Sequence, residues 1–157
     1  MVDEQKNLVS LSELSGRLGE AIDELPDDRY FDVVHRLLID LMHLYVGEMS
    51  AHVRDLVART LSAPFSDEAG ELYGELDAAV ENVWPQNRGV RIFYSVIGRF
   101  VYDYEELGRR RQAPQFIPTA ISPLPANIHP GTDLRNLVPK DSPLAKLTLS
   151  YLMELGK

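Results

Sequence analysis

Proline governs what the last third of this chain can fold into. Seven of the ten prolines, Pro114, Pro118, Pro123, Pro125, Pro130, Pro139 and Pro143, fall between Gln112 and Pro143. Each removes a backbone N–H and fixes φ, which opposes a helix interior or a central strand. The same stretch nevertheless carries Phe116, Ile117, Ile121, Leu124, Ile128, Leu134, Leu137 and Val138. Apolar side chains at that density need a surface to cover. The pattern predicts an extended arm over residues 112–142, with few internal backbone hydrogen bonds, lying along its own helical body or along a partner.

Length and composition bound the rest. A chain of 157 residues fits one domain, and a domain of this size buries roughly 70% of its unfolded surface. With 45% apolar residues it can build a full core. There are no cysteines, so disulfides, thiolate metal sites and cysteine nucleophiles are excluded. The start, from Met1 to Asn7, is polar and acidic, unlike a signal peptide. No apolar run approaches the roughly 20 residues that span a bilayer. These features predict a soluble, cytoplasmic protein without membrane contact.

The net charge of −8 is unevenly distributed. Residues 1–82 carry 18 acidic and 6 basic side chains, a net −12, whereas residues 83–157 carry 6 and 10, a net +4. Phosphate neutralisation by a nucleic-acid binder needs a basic face. The one dense basic cluster is Arg109-Arg110-Arg111, placed where it offsets a helix dipole. Nucleic acid is therefore not the expected partner.

Residues 1–111 read as an all-α, antiparallel up-down bundle of about four helices, and 112–157 as the arm plus a short C-terminal helix. Ser10 and Glu13 make a capping box. Leu11, Leu14, Leu18, Ile22 and Leu25 then repeat at helical spacing until Pro26. A long helical stretch over 28–62 changes face: its apolar residues after Gly47 lie about 90° round from those before it, which predicts a bend there. A third helix from Ser66 to Trp84 turns Ala69, Leu72, Leu76, Ala79, Val80 and Val83 inward. A fourth, over 90–111, does the same with Ile92, Phe93, Val96, Ile97, Phe100, Val101 and Tyr104. Short connections favour antiparallel neighbours. The last helix starts at Ser142-Pro143, stops at Gly156 and offers Leu144, Leu147, Leu152 and Leu155.

No catalytic motif or cofactor fingerprint stands in the chain. Glu48, His52, Asp55 and Arg59 recur at i, i+4, i+7 and i+11 and would share one helix face. They make a solvated row with two acid-to-base pairs; the alternative is a metal-dependent helical-bundle enzyme or ligand carrier in which Glu48 and His52 ligate the ion. His35 and His43 do not converge, and His129 sits in a turn sequence. The third helix carries Asp67, Glu68, Glu71, Glu75, Asp77 and Glu81 with no basic residue among them. Such a face is solvated, or attracts a basic partner surface, or is partly neutralised by Arg88, Arg91 and Arg99 of the next helix. The leading expectation is a non-catalytic protein-binding protein of adaptor, regulatory, toxin-neutralising or phage-assembly type. Its expected contacts are Glu71, Glu75, Tyr102, Phe116, Ile117, Ile121, Leu124, Leu147 and Leu152. A homodimer formed through the arm is a further expectation.

Overall fold

Ser10 ends one element and starts the next. The computed structural model describes residues 7–81, 87–106, 111–123 and 134–157, and there the protein is mostly helical. Strand β1 (Leu8–Ser10) pairs antiparallel with β2 (Leu137–Pro139), with Val9 opposite Val138. The Ser10 hydroxyl donates to the Arg135 carbonyl at 2.8 Å and accepts from the Glu13 amide at 3.1 Å. Helix α1 (Leu11–Asp23) thus begins at the predicted cap. The ladder itself has no counterpart in the sequence pattern, because three residues a side are too few for alternation to stand out.

The long stretch expected from 28 to 62 is two helices, α2 (Asp27–Tyr45) and α3 (Ala51–Ser62), joined through a 3-10 turn at Val46–Glu48. Met49 is extended, and the Ser50 hydroxyl accepts from the Val53 amide at 3.2 Å to cap α3. A complete break lets both apolar faces find the core: Leu37, Leu38 and Leu41 before it, Val53, Leu56 and Val57 after it, all buried. Packing does not require glycine at 47, since a Cβ there would meet nothing within 4 Å. The break is made at Met49-Ser50.

Helix α4 (Glu68–Glu81) packs on α3, and α5 (Arg88–Glu105) packs on α4 and α2. Ala69, Leu72, Leu76 and Val80 point inward from α4, and Phe93, Val96, Ile97, Phe100 and Val101 from α5. Tyr104, expected in the core, lies instead at the rim, 38% exposed, with its ring 4.6 Å from that of Phe65. Tyr94, absent from the expected core set, is buried. Val83, Trp84, Arg109, Arg110, Leu124, Ile128 and His129 lie outside the described residues.

The arm departs most from expectation. Residues Ala113–Ile121 form a helix, α6, rather than an extended segment. Pro114 falls in the first turn, where no N–H is needed. Pro118 lies inside the helix and cannot bond the Pro114 carbonyl one turn back. That carbonyl faces α1 at Gly19, where a Cβ would come within 3.1 Å of it and 2.9 Å of the Pro118 ring. Glycine at 19 is thus the condition for α6 to lie against α1. Ala113, Ile117, Ala120 and Ile121 are fully buried between α1 and α5.

Asp103 holds the start of α6. Its carboxylate is 6% exposed and accepts from the Gln112 amide at 2.8 Å, the Ala113 amide at 3.0 Å and the Tyr30 hydroxyl at 2.7 Å. The far end is held by Tyr45, whose hydroxyl donates to the Ala120 carbonyl at 2.6 Å. Arg111 donates to the Asp23 carbonyl at 3.1 Å and to Asp27 at 2.7 Å, and its guanidinium lies 4.1 Å above the Tyr30 ring. It compensates the end of α1 rather than of the helix that precedes it in sequence.

Helix α7 (Pro143–Glu154) docks on α1 and α2 of the same chain. Its fully buried residues are Ala145, Thr148, Tyr151 and Leu152, and Leu144, Leu147 and Leu155 of the expected leucine face pack half-buried against the same core. The Tyr151 hydroxyl donates to Asp40 at 2.6 Å, and Arg36 grips Glu154 with two hydrogen bonds of 3.0 and 2.6 Å. Gly156, at φ +73, ends the helix in the left-handed conformation.

Two measurements follow from this arrangement. Asp103→Ala leaves two amides and a hydroxyl buried without an acceptor, so chemical denaturation is expected to show a loss of about 3 kcal/mol or more. A loss below about 1 kcal/mol would show that water replaces the carboxylate. The second measurement is alkaline. Burial pushes the Tyr45 and Tyr94 hydroxyls up to about 12. Burial raises Tyr30 and Tyr151 further, with hydrogen bonds to Asp103 and Asp40 adding to it. An unfolded tyrosine ionises near pH 10, so between about pH 10 and 12 the unfolded chain releases protons that the folded chain keeps. Stability is therefore full below about pH 10 and falls as pH rises. Denaturation midpoints against pH, with phenolate absorbance, check this; a folded protein with all its tyrosines ionising together near pH 10 would contradict it.

Candidate functional site

The Glu48–Arg59 row does not survive as one helix face. Glu48 ends the 3-10 turn, and its carboxylate accepts two hydrogen bonds from the Asn87 amide nitrogen, at 2.9 and 3.1 Å. Asn87 in turn caps α5 by accepting from the Gly89 amide at 2.8 Å. Glu48 therefore steadies the start of α5. His52 is exposed in the first turn of α3, separated from Glu48 by the extended Met49. Asp55 and Arg59 form an exposed pair at 3.6 Å. Among the described residues no group of three or more His, Asp or Glu is placed to hold a metal ion. His35 lies 2.6 Å from the Leu61 carbonyl, with its ring edge against Phe65. His43 is exposed.

Helix α4 presents a different surface. Its four inward residues fix its rotation, which leaves Glu68, Glu71, Glu75, Asp77 and Glu81 exposed. None of these carboxylates makes an ion pair among the described residues. Glu105 of α5 extends the same acidic face, its carboxylate 3.3 Å from where a Cβ on Gly70 would lie. The face belongs to a helix anchored by buried contacts, so its charges are presented on a rigid support.

Beside that face, between α4, α5 and the start of α6, lies an open cleft of about 290 Å³ lined by Tyr73, Ser95, Gly98, Arg99, Tyr102 and Gln112. Gly98 makes room for the Tyr73 ring, which packs directly on the α5 backbone there and would collide with a Cβ. Arg99 is fixed in place, donating to the Gln112 side-chain oxygen at 2.9 Å and lying 4.0 Å over the Phe116 ring. Its Nε, like that of Arg91, is sealed from solvent and has no hydrogen-bond partner among the described residues. Burial raises the Tyr73 hydroxyl, Asp77 adds to that, and Arg99 opposes it. The cleft was within reach of sequence reasoning, since Ser95, Gly98, Arg99 and Tyr102 share one side of α5. What sequence could not supply was Tyr73 from α4 or Gln112 from beyond the helix.

The expected contact residues divide by burial. Glu71 and Glu75 are exposed, Tyr102 lines the cleft, and half-buried Phe116 lies under Arg99. Ile117, Ile121 and Leu152 are buried in the core of their own chain, so a partner reaches them only if α6 or α7 leaves its place. Leu124 is outside the described residues. Leu147 is half-buried and, with Leu44 and Pro143, lines a shallow groove along α7. On the other flank of α7, Met153 is 82% exposed beside Lys146 and Leu149. Among the described residues no helix is long and apolar enough to cross a membrane. No protein-family model matches this chain, and no significant match to it occurs among curated proteins or solved structures.

Proposed function

We propose that the protein acts by binding another protein, with the acidic face of α4 meeting a basic surface of the partner. The observation that carries this reading is the set of exposed carboxylates from Glu68 to Glu81, with no ion pair among the described residues, on a helix whose opposite side is locked into the core. Like charges held together at this density repel, and a cationic partner relieves the repulsion while long-range attraction speeds encounter. Tyr102 and the exposed Tyr104 flank the face and add the amphipathic area that interfaces favour. An adaptor or regulatory role in the cytoplasm fits an acidic, cysteine-free chain of this kind.

The docked arm bears on the mode of binding. α6 and α7 bury Ile117, Ile121 and Leu152 within the same chain. A homodimer made by arm exchange would have to remake all of those contacts between copies, so α4 is the better place for the partner. Glu48, engaged by Asn87, gives the metal-enzyme alternative no observation to rest on.

The test is a charge reversal, Glu71→Lys with Glu75→Lys. Both positions are exposed, so the melting temperature is expected to stay within a few degrees. Wild-type protein should retain a basic protein from its native cells in a salt-sensitive manner, and the variant should weaken that affinity by about tenfold or more, ~1.4 kcal/mol. Equal retention by the two proteins at low salt would place the interface elsewhere.

A further inference from the structure

We propose that the cleft between α4, α5 and α6 is a binding site for a small organic oxyanion, a carboxylate or phosphate ester, whose charged end is held by Arg99. The argument starts from the guanidinium. Arg99 is half-buried, and its contacts are a neutral amide oxygen on Gln112 and the face of Phe116. It makes no ion pair among the described residues. A cation partly withdrawn from water without a counter-charge is costly. The Arg99 Nε is sealed by the protein, so the terminal guanidinium nitrogens are the donors that a carboxylate or phosphate would engage.

The rest of the cleft suits the remainder of such a ligand. The Tyr73 ring, seated on Gly98, supplies an aromatic wall. The Ser95 hydroxyl is weakly engaged, 3.5 Å from the Arg91 carbonyl, and the Gln112 amide keeps its N–H donors. At about 290 Å³ the space exceeds a bare anion and sits near the small end of ligand pockets, at roughly 300 Å³. The ligand is therefore an anion with an organic body of modest size. Asp77, which approaches Tyr73, repels any anion that does not touch the guanidinium directly. That repulsion favours weak, contact-dependent binding with a Kd on the order of 1 mM. The site differs in charge preference from the partner surface on α4, which it adjoins at Asp77.

The experiment follows the Arg99 Nε–H resonance of the full chain by NMR, assigned by its disappearance in Arg99→Lys. Four probes are titrated separately: inorganic phosphate, acetate, phenyl phosphate and benzoate. The expected result is a saturable shift of that resonance, with the two aromatic anions binding more tightly than the two without a ring. Arg99→Gln should lower affinity for every probe by about tenfold or more. A wild-type Arg99 resonance that stays unmoved by all four, up to about fifty times the expected Kd, overturns the site. A shift that is equal for all probes and grows linearly without saturation overturns it too, since that is screening rather than binding. Both of these outcomes are read on wild-type protein, so they stand even if Arg99→Gln folds poorly. The Glu71→Lys, Glu75→Lys protein leaves Arg99 in place, so loss of the partner surface and loss of the anion site are read separately.

Discussion

One buried carboxylate, Asp103, ties three helices of this molecule together. It lies in the last turn of α5, accepts the two amides that begin α6 and holds the hydroxyl of Tyr30 from the first turn of α2. Without it, α6 would start with orphan donors in an apolar setting, the situation that helix caps exist to avoid. The cap here comes from another helix, so capping α6 also fixes where it lies. Tyr30 and Tyr45 are 15 residues apart on α2, about 22 Å along the helix, and they reach the start and the end of α6. The ring of Tyr30 also supports Arg111, which closes α1. The end of α5, the start of α6, α2 and the end of α1 thus share one set of polar contacts that runs from the core to its edge.

Much of this body was legible in the chain. Apolar spacing gives α1, α4 and α5 their inward faces, because a helix that packs on one side must repeat its apolar residues at that period. Ser10, Pro143 and Gly156 mark helix ends by local chemistry that tertiary structure does not override. The rotation of the apolar face at Gly47 signals a discontinuity, although the break falls at Met49-Ser50, where a hydroxyl can cap a new start. The arm differs from its expectation for a physical reason. Proline density argues against a helix, yet Pro114 occupies a tolerated first-turn position, and the hydrogen bond lost at Pro118 is offset by packing against Gly19. The β1–β2 pair joins segments 125 residues or more apart, a pairing that no local pattern encodes.

The candidate surfaces show the same division. The acidic face of α4 can be read directly, because charge and helical period are both local properties. The Glu48–His52 pairing cannot hold, since it needs a continuous helix through residues where the chain becomes extended. The cleft around Arg99 depends on a glycine, a tyrosine from the preceding helix and a glutamine from the following segment. Each of those residues looks ordinary alone. Arg99 stands in the sequence as one possible neutraliser of the acids on α4, but the structure turns it toward Gln112 and Phe116.

The placement of α1 has a consequence for the order of events in the living cell. Its closest neighbours are α6 and α7, both encoded at least 90 residues downstream. A nascent chain that has produced α1 through α5 offers Leu14, Leu18 and Ile22 little beyond the edge of α2. Most of their apolar stripe must wait, exposed, until the arm emerges from the ribosome. Structures dominated by distant contacts fold slowly and are vulnerable to aggregation during that delay. Helix α1 is therefore made before the helices that complete its packing, and its apolar stripe is the surface exposed to aggregation during that interval.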